Sequence, residues 1–202
     1  MTITYQKILQ AAIKAGYLGD ARPLAAFVDT DEVVRTISAL QAAFPDHFEH
    51  TFAAKANTMA SALALVRERD MGCEVASRGE LEQALRVGFE PETIVYDAPA
   101  KTQDVLYQVI SNNIGLNIDN LQEFERVVSL VQETSSRSRI GFRINPQIGA
   151  GTIGAMSTAT TTSKFGVALD DEGIREALID CYKNHEWLTS IRPLPAYIRT
   201  KT

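Results

Sequence analysis

The residue most suited to chemistry is Lys55, which sits near the end of the run Phe52-Ala53-Ala54-Lys55-Ala56-Asn57. Lysine is seldom fully buried unless it is paired or used. At the mouth of a buried strand it would lose part of its solvation, its pKa would fall, and the neutral amine would be available to attack a carbonyl carbon. The competing reading is a side chain that snorkels from a strand end into water. Arg143 lies between Phe142 and Ile144 in an apolar run, and a guanidinium there needs an acceptor. A carboxylate, phenolate or phosphate of a ligand would serve, and so would a structural salt bridge. Glu74 precedes Val75 by one residue and is placed to face the same end of the fold as the partner of a cation. Ser77 and Glu80 open a helix with the Ser-x-x-Glu spacing of a capping box, which explains both residues without a ligand.

Other chemistries find little support. His47, His50 and His185 show no ligand spacing, and neither Cys73 nor Cys181 has a neighbouring histidine. No metal centre and no nucleophilic triad is expected. Two cysteines make no disulfide framework, which points to a reducing, cytoplasmic compartment. The chain of 202 residues carries 20 Lys and Arg against 25 Asp and Glu, a net charge of −5, with no basic cluster to meet phosphates. Nucleic acid is therefore not an expected partner. No apolar run approaches the ~20 residues that span a bilayer, so no membrane partner is expected either. Hydrophobic residues at 45% suit a chain that buries a core.

The elements that must position these residues alternate. An N-terminal segment, 3–16, has helical spacing, and Pro23–Val28 reads as a short buried strand. Asp29 and Glu32 are spaced to cap the next helix, whose stripe is Val33, Val34, Ile37 and Leu40. Strands are then predicted at 50–54, 73–76, 93–96, 115–118 and 139–144, and another begins at 189–191. Helices are predicted at 59–69, 77–87, 120–133 and 171–184, and one is capped by Thr102, with Gly88 as the residue that ends the second. Such alternation implies right-handed βαβ units and a parallel sheet. A Gly- and Thr-rich stretch, 145–166, is the one long non-helical connection. Lys55, Ser77, Asp97, Asp119 and Arg143 all fall at the C-terminal ends of strands, where βα barrels build their sites. Open sheets also bind ligands at their strand ends, but no Gly-x-Gly-x-x-Gly follows the first strand.

Taken in order, these segments resemble the fold-type III pyridoxal-phosphate decarboxylases, the group that contains diaminopimelate, ornithine and arginine decarboxylases. The segment Phe52–Asn57 is similar to the family's Tyr-x-x-Lys-Ala-Asn stretch. The further matches are Glu74–Leu81, Ile94–Lys101, Asn117–Asp119, Gly141–Pro146 and Ser163–Gly166. The resemblance covers roughly residues 23–191. It implies an alanine-racemase-like (β/α) barrel with pyridoxal 5′-phosphate as cofactor. It further implies Lys55 as the lysine that holds the cofactor, Arg143 as its charged neighbour, Glu74 where the family commonly has Asp, and Ser77 at the cofactor. The activity implied is decarboxylation of an amino-acid substrate, diaminopimelate or another basic amino acid, by a carboxy-lyase that is a homodimer in the intact family.

The departures begin after Ile191. Where the family would continue His-x-His-x-Gly-Ser, the chain reads Arg192-Pro193-Leu194-Pro195-Ala196-Tyr197, and two prolines in three residues do not continue a central strand. A TIM-type barrel needs about 250 residues. The expectation is therefore a partial barrel truncated after about the fifth or sixth strand and impaired as a catalyst. Its parts are an N-terminal helical segment (1–22), a cofactor-binding barrel portion (23–191) and an aberrant tail (192–202). The alternative is a non-catalytic relative that acts by pairing with a full-length partner. A racemase-like cofactor carrier fits the motifs less well. An open sheet edge at the break is expected to promote self-association.

Overall fold

The computed structural model describes residues 5–145, 147, 165–193 and 198–200, with side chains at 5–145, 147 and 165–189. The chain divides into two compact units, residues 1–43 and 44–202. The first holds two helices, α1 (Tyr5–Lys14) and α2 (Thr30–Ala42). Asp29 caps α2 as its spacing predicts, its carboxylate accepting from Glu32 N at 3.0 Å. The run Pro23–Val28 is not a strand. It pairs with no described strand, and its Leu24, Phe27 and Val28 are exposed, so the apolar run lacks the neighbours that would make it a sheet element.

The second unit is an α/β fold built on one sheet. Its strands are β1 (Phe48–Ala53), β2 (Gly72–Val75), β3 (Ile94–Tyr96), β4 (Gly115–Ile118), β5 (Ile140–Asn145), β6 (Val167–Ala168), β7 (Leu188–Pro193) and β8 (Ile198–Thr200). Strands β1 to β5 pair in sequence order, all parallel, and β5 then takes both β6 and β7, also in parallel. The crossovers are α3 (Ala60–Arg67), α4 (Arg78–Val87), α5 (Gln103–Ser111) and α6 (Leu121–Thr134), with α7 (Ile174–Asn184) leading to β7. The result is an open, incomplete βα barrel: the alternation predicts its parallel sheet, and the family resemblance its partial barrel.

The tail departs from expectation. β7 does not stop at Ile191 but runs to Pro193, opposite Ile144. Among the described residues β7 pairs with β5 alone, so it is an edge strand, and an edge tolerates a residue that gives no N–H to the ladder. Beyond it, β8 turns back and pairs antiparallel with Phe48–His50 of β1. The first half of β1 is thus covered on that side by β8.

Period-two alternation explains how this sheet carries a site. Cys73, Val75, Ile94, Tyr96, Leu116, Ile118, Ile140, Phe142 and Ile144 join the apolar cluster with helix residues such as Leu63, Leu81, Leu106 and Val127. Burying each such side chain contributes ~1.5–3 kcal/mol. The residues between them, Glu74, Val95, Asn117, Arg143 and Asn145, are buried on the opposite face. Both faces are covered, as a parallel sheet requires. Close strand approach needs Gly72, where an added Cβ would meet Thr93 O at 2.5 Å. Gly88 ends α4 with φ +94°, the left-handed position that its placement predicts.

Candidate active site

The strand ends gather the candidate residues into two linked groups. β1 ends at Ala53, one residue earlier than expected, and the chain enters a 3₁₀ turn over Ala54–Ala56. Ala54 takes the buried position, and Lys55 follows with its side chain 53% exposed. The side chain thus keeps about half of its contact with water, between the partly desolvated amine and the snorkelling side chain that the sequence allows. Its Nζ lies 3.6 Å from Oε1 of Glu74, a neighbour brought in by the register of β1 on β2. Glu74 is 2% exposed, and burial pushes its pKa up to about 7. Lys55 and Arg143 oppose that rise, and Asp97 adds to it. Its second oxygen, Oε2, has no hydrogen-bond partner.

Arg143 anchors the second group. On β5 it is held between two carboxylates that end neighbouring strands, with Nη1 3.4 Å from Asp97 Oδ1 and 3.5 Å from Asp119 Oδ1. The guanidinium carbon lies 4.7 Å from the centre of the Phe165 ring, a cation–π contact. All three charged residues are buried, and Arg143 Nε is without a hydrogen-bond partner. Burial raises the pKa of Asp119, and a backbone hydrogen bond from Gly166 and the charges of Arg143 and Lys101 act against the rise. The acceptor demanded by the sequence is thus a pair of protein carboxylates.

Ser77 is the N-cap of α4. Its Oγ accepts from Glu80 N at 3.2 Å, while Glu80 Oε2 accepts from Ala76 N at 2.8 Å. The capping box forms with the glutamate reaching one residue further back than usual. The same device recurs at α6, where Asn120 Oδ1 accepts from Glu123 N at 2.8 Å and Glu123 Oε2 from Asp119 N at 3.2 Å. One feature the residue types did not disclose is a buried ion pair, Lys101 Nζ to Glu123 Oε1 at 2.6 Å, with side chains 0% and 1% exposed. The Asn-x-x-Glu spacing at 120–123 was its only local signal. Ser163 and Lys164, and Pro146 with most of the Gly/Thr-rich stretch, lie outside the described residues.

The arrangement is therefore a βα-barrel portion with a solvent-reachable lysine beside a buried acid, and an arginine clamped at neighbouring strand ends. Such a donor set suits a carbonyl cofactor, because it offers a reachable amine beside Glu74 and, among the described residues, two buried polar atoms without a hydrogen-bond partner, Glu74 Oε2 and Arg143 Nε.

Comparison with known proteins names the family. The sequence model of the pyridoxal-dependent decarboxylase pyridoxal binding domain matches residues 30–187. The chain belongs to this family, and pyridoxal phosphate is the cofactor that the family implies. Among curated relatives, diaminopimelate decarboxylase of Bacteroides thetaiotaomicron is 30% identical over 155 residues, 72% of this chain and 38% of that protein. The enzyme of that name from Helicobacter pylori is 34% identical over 128 residues, 63% of this chain and 30% of its own. Among solved structures, Helicobacter pylori diaminopimelate decarboxylase complexed with L-lysine superposes with TM-score 0.70 at 25% identity, covering 94% of this chain and 45% of that one. Lysine/ornithine decarboxylase from Vibrio vulnificus, at 16% identity and TM-score 0.65, shares the fold. The chain spans less than half the length of each of these relatives. Among the described residues no helix is long and apolar enough to cross a membrane.

Proposed function

We propose that the strand-end cluster is the cofactor site of a pyridoxal-phosphate-dependent amino-acid decarboxylase whose substrate is diaminopimelate or another basic amino acid. The observation that carries this is Lys55 Nζ at 3.6 Å from the buried Glu74, in the barrel portion that the family model spans. Lys55 would hold the cofactor covalently through Nζ, with Glu74 and Arg143 beside it. Bound there, pyridoxal phosphate supplies an electron sink for the carbanion left when CO2 departs.

Each residue has a physical task in this reading. An amine must be neutral to attack a carbonyl. Glu74, with its pKa pushed up to about 7, is a better acceptor of a proton from Nζ than an ordinary carboxylate. Asp97 and Asp119 hold Arg143 through Nη1, and its buried Nε has no hydrogen-bond partner among the described residues. Ser77 is exposed at the start of α4 and offers its hydroxyl where a helix N-terminus favours negative charge.

The cofactor part is tested by incubating the chain with pyridoxal phosphate, reducing with borohydride and mapping the peptides. The phosphopyridoxyl group should reside on Lys55 and vanish in Lys55→Ala. A label spread over surface lysines would overturn the assignment. The reaction part is tested by CO2 release from diaminopimelate, ornithine and arginine. Release from none of them would overturn it and leave the cofactor site standing.

A further inference from the structure

Lys101 and Glu123 take no part in the cluster above, yet they form the most deeply buried ion pair among the described residues. Stability is a poor reason for such a pair. Two charges withdrawn from water lose hydration that their attraction barely restores, and apolar replacements of similar size are often neutral or stabilising. The box at the start of α4 shows that such a cap forms without a cation, since Glu80 reaches Ala76 N with no lysine against it.

The connections of the pair are specific. Lys101 lies in the loop that leaves β3, four residues after Asp97, and its carbonyl accepts from Arg126 Nη1 of α6 at 3.0 Å. Glu123 belongs to the first turn of α6, and its Oε2 accepts from the backbone N–H of Asp119. The ion pair thus ties the loop that carries Asp97 to the strand end that carries Asp119. Those are the two carboxylates on Arg143 Nη1.

We infer that Lys101 and Glu123 are positioning residues: the buried pair fixes the separation of Asp97 and Asp119 and so holds Arg143 in one orientation. The inference rests on reading the strand-end cluster as the cofactor site. Its observable, however, is the guanidinium itself and needs no cofactor.

The test uses the full chain and the double variant Lys101→Met/Glu123→Met, which exchanges the pair for apolar side chains of similar length. Phenylglyoxal modification is followed arginine by arginine in peptide maps, and the Nε–H signal of Arg143 is followed by ¹⁵N NMR. The double variant should melt cooperatively near the wild-type temperature. Arg143 should react roughly tenfold faster, equivalent to about 1.4 kcal/mol of lost restraint. Arg67 and Arg139 should react at wild-type rates, and the Arg143 signal should shift or broaden. A folded double variant with unchanged Arg143 reactivity and signal overturns the inference. If the double variant does not fold, Glu123→Gln retains an oxygen for Asp119 N and removes the charge facing Lys101. A faster Arg143 supports the inference there too, and an unchanged one overturns it. The cofactor reading fails separately, through the absence of label on Lys55.

Discussion

Replacing Arg143 with methionine should destabilise the chain by an amount that grows with pH. The side chain is 8% exposed, and its partners Asp97 and Asp119 are 7% and 4% exposed. At an effective dielectric of ~20, unit charges separated by the shorter of these contacts attract by about 5 kcal/mol, most of which offsets the hydration lost on burial. Methionine fills much of the volume and leaves two buried carboxylates without their cation. Breaking a buried pair in this way costs ~3–5 kcal/mol. For a domain of this size that is roughly 6–20 °C in Tm. Asp119, whose pKa burial already raises, also loses a charge that holds it down, so its folded pKa climbs further. A group whose folded pKa lies above its unfolded value gives stability that is complete at low pH and lost as pH rises through the folded value. The deficit of R143M relative to wild type should therefore be smallest near about pH 5 and largest near about pH 8. Urea melts at the two pH values measure it. A variant that melts within a degree or two of wild type at both, or loses more at the acid pH, would show that Arg143 does not neutralise these acids.

Two further outcomes follow from the same geometry. Glu74 titrates at about 7 in the folded chain, above its ordinary value, because it is buried. Wild-type stability should then decline as pH rises through neutrality, and Glu74→Gln should flatten that decline in melts between about pH 5 and about pH 8; an equally steep decline in the variant would place the titrating group elsewhere. Ser77→Asp keeps an N-cap of equal quality. Its Tm should match wild type while pyridoxal phosphate binds several-fold more weakly, because a carboxylate now meets an anionic ligand at the start of α4. Undiminished affinity in a spectroscopic titration would remove Ser77 from the site.

Most of what local spacing controls was legible in the residues. Asp29 with Glu32, Ser77 with Glu80 and Gly88 each form the terminus their spacing predicts, because a cap is settled within four residues. The strands around Cys73, Ile94, Leu116 and Ile140 were legible as short apolar runs. What failed depended on neighbours. Pro23–Val28 has the composition of a strand and finds no described strand to pair with. Pro193 would be misplaced in a central strand, but β7 pairs on one side only among the described residues. Glu74 and Arg143 were recognised as charges among apolar residues, while Lys55 was left between a desolvated and a snorkelling side chain, since its exposure turns on where β1 ends. Lys101 and Glu123 meet across two βα junctions, and no sequence period links them.

The charges of the cluster also constrain how it meets a ligand. Glu74, Asp97 and Asp119 face Lys55 and Arg143, three acids to two cations. Arg143 serves two of the acids, so the third depends on a lysine that water half screens. Burial is what pushes the pKa of Glu74 up to about 7, and the charge of Asp97 adds to the rise that Lys55 and Arg143 oppose. A group with positive charge offsets the excess of acids. A phosphate adds to it. The carboxylates therefore favour the carbonyl and ring end of pyridoxal phosphate together with the amino group of a substrate. In the proposed reading the phosphate would lie toward the N-terminus of α4, where Ser77 would offer a donor and the helix favours an anion. The two ends of the cofactor would then be sorted by electrostatics before any specific contact forms, and the predicted weakness of Ser77→Asp reads that sorting directly.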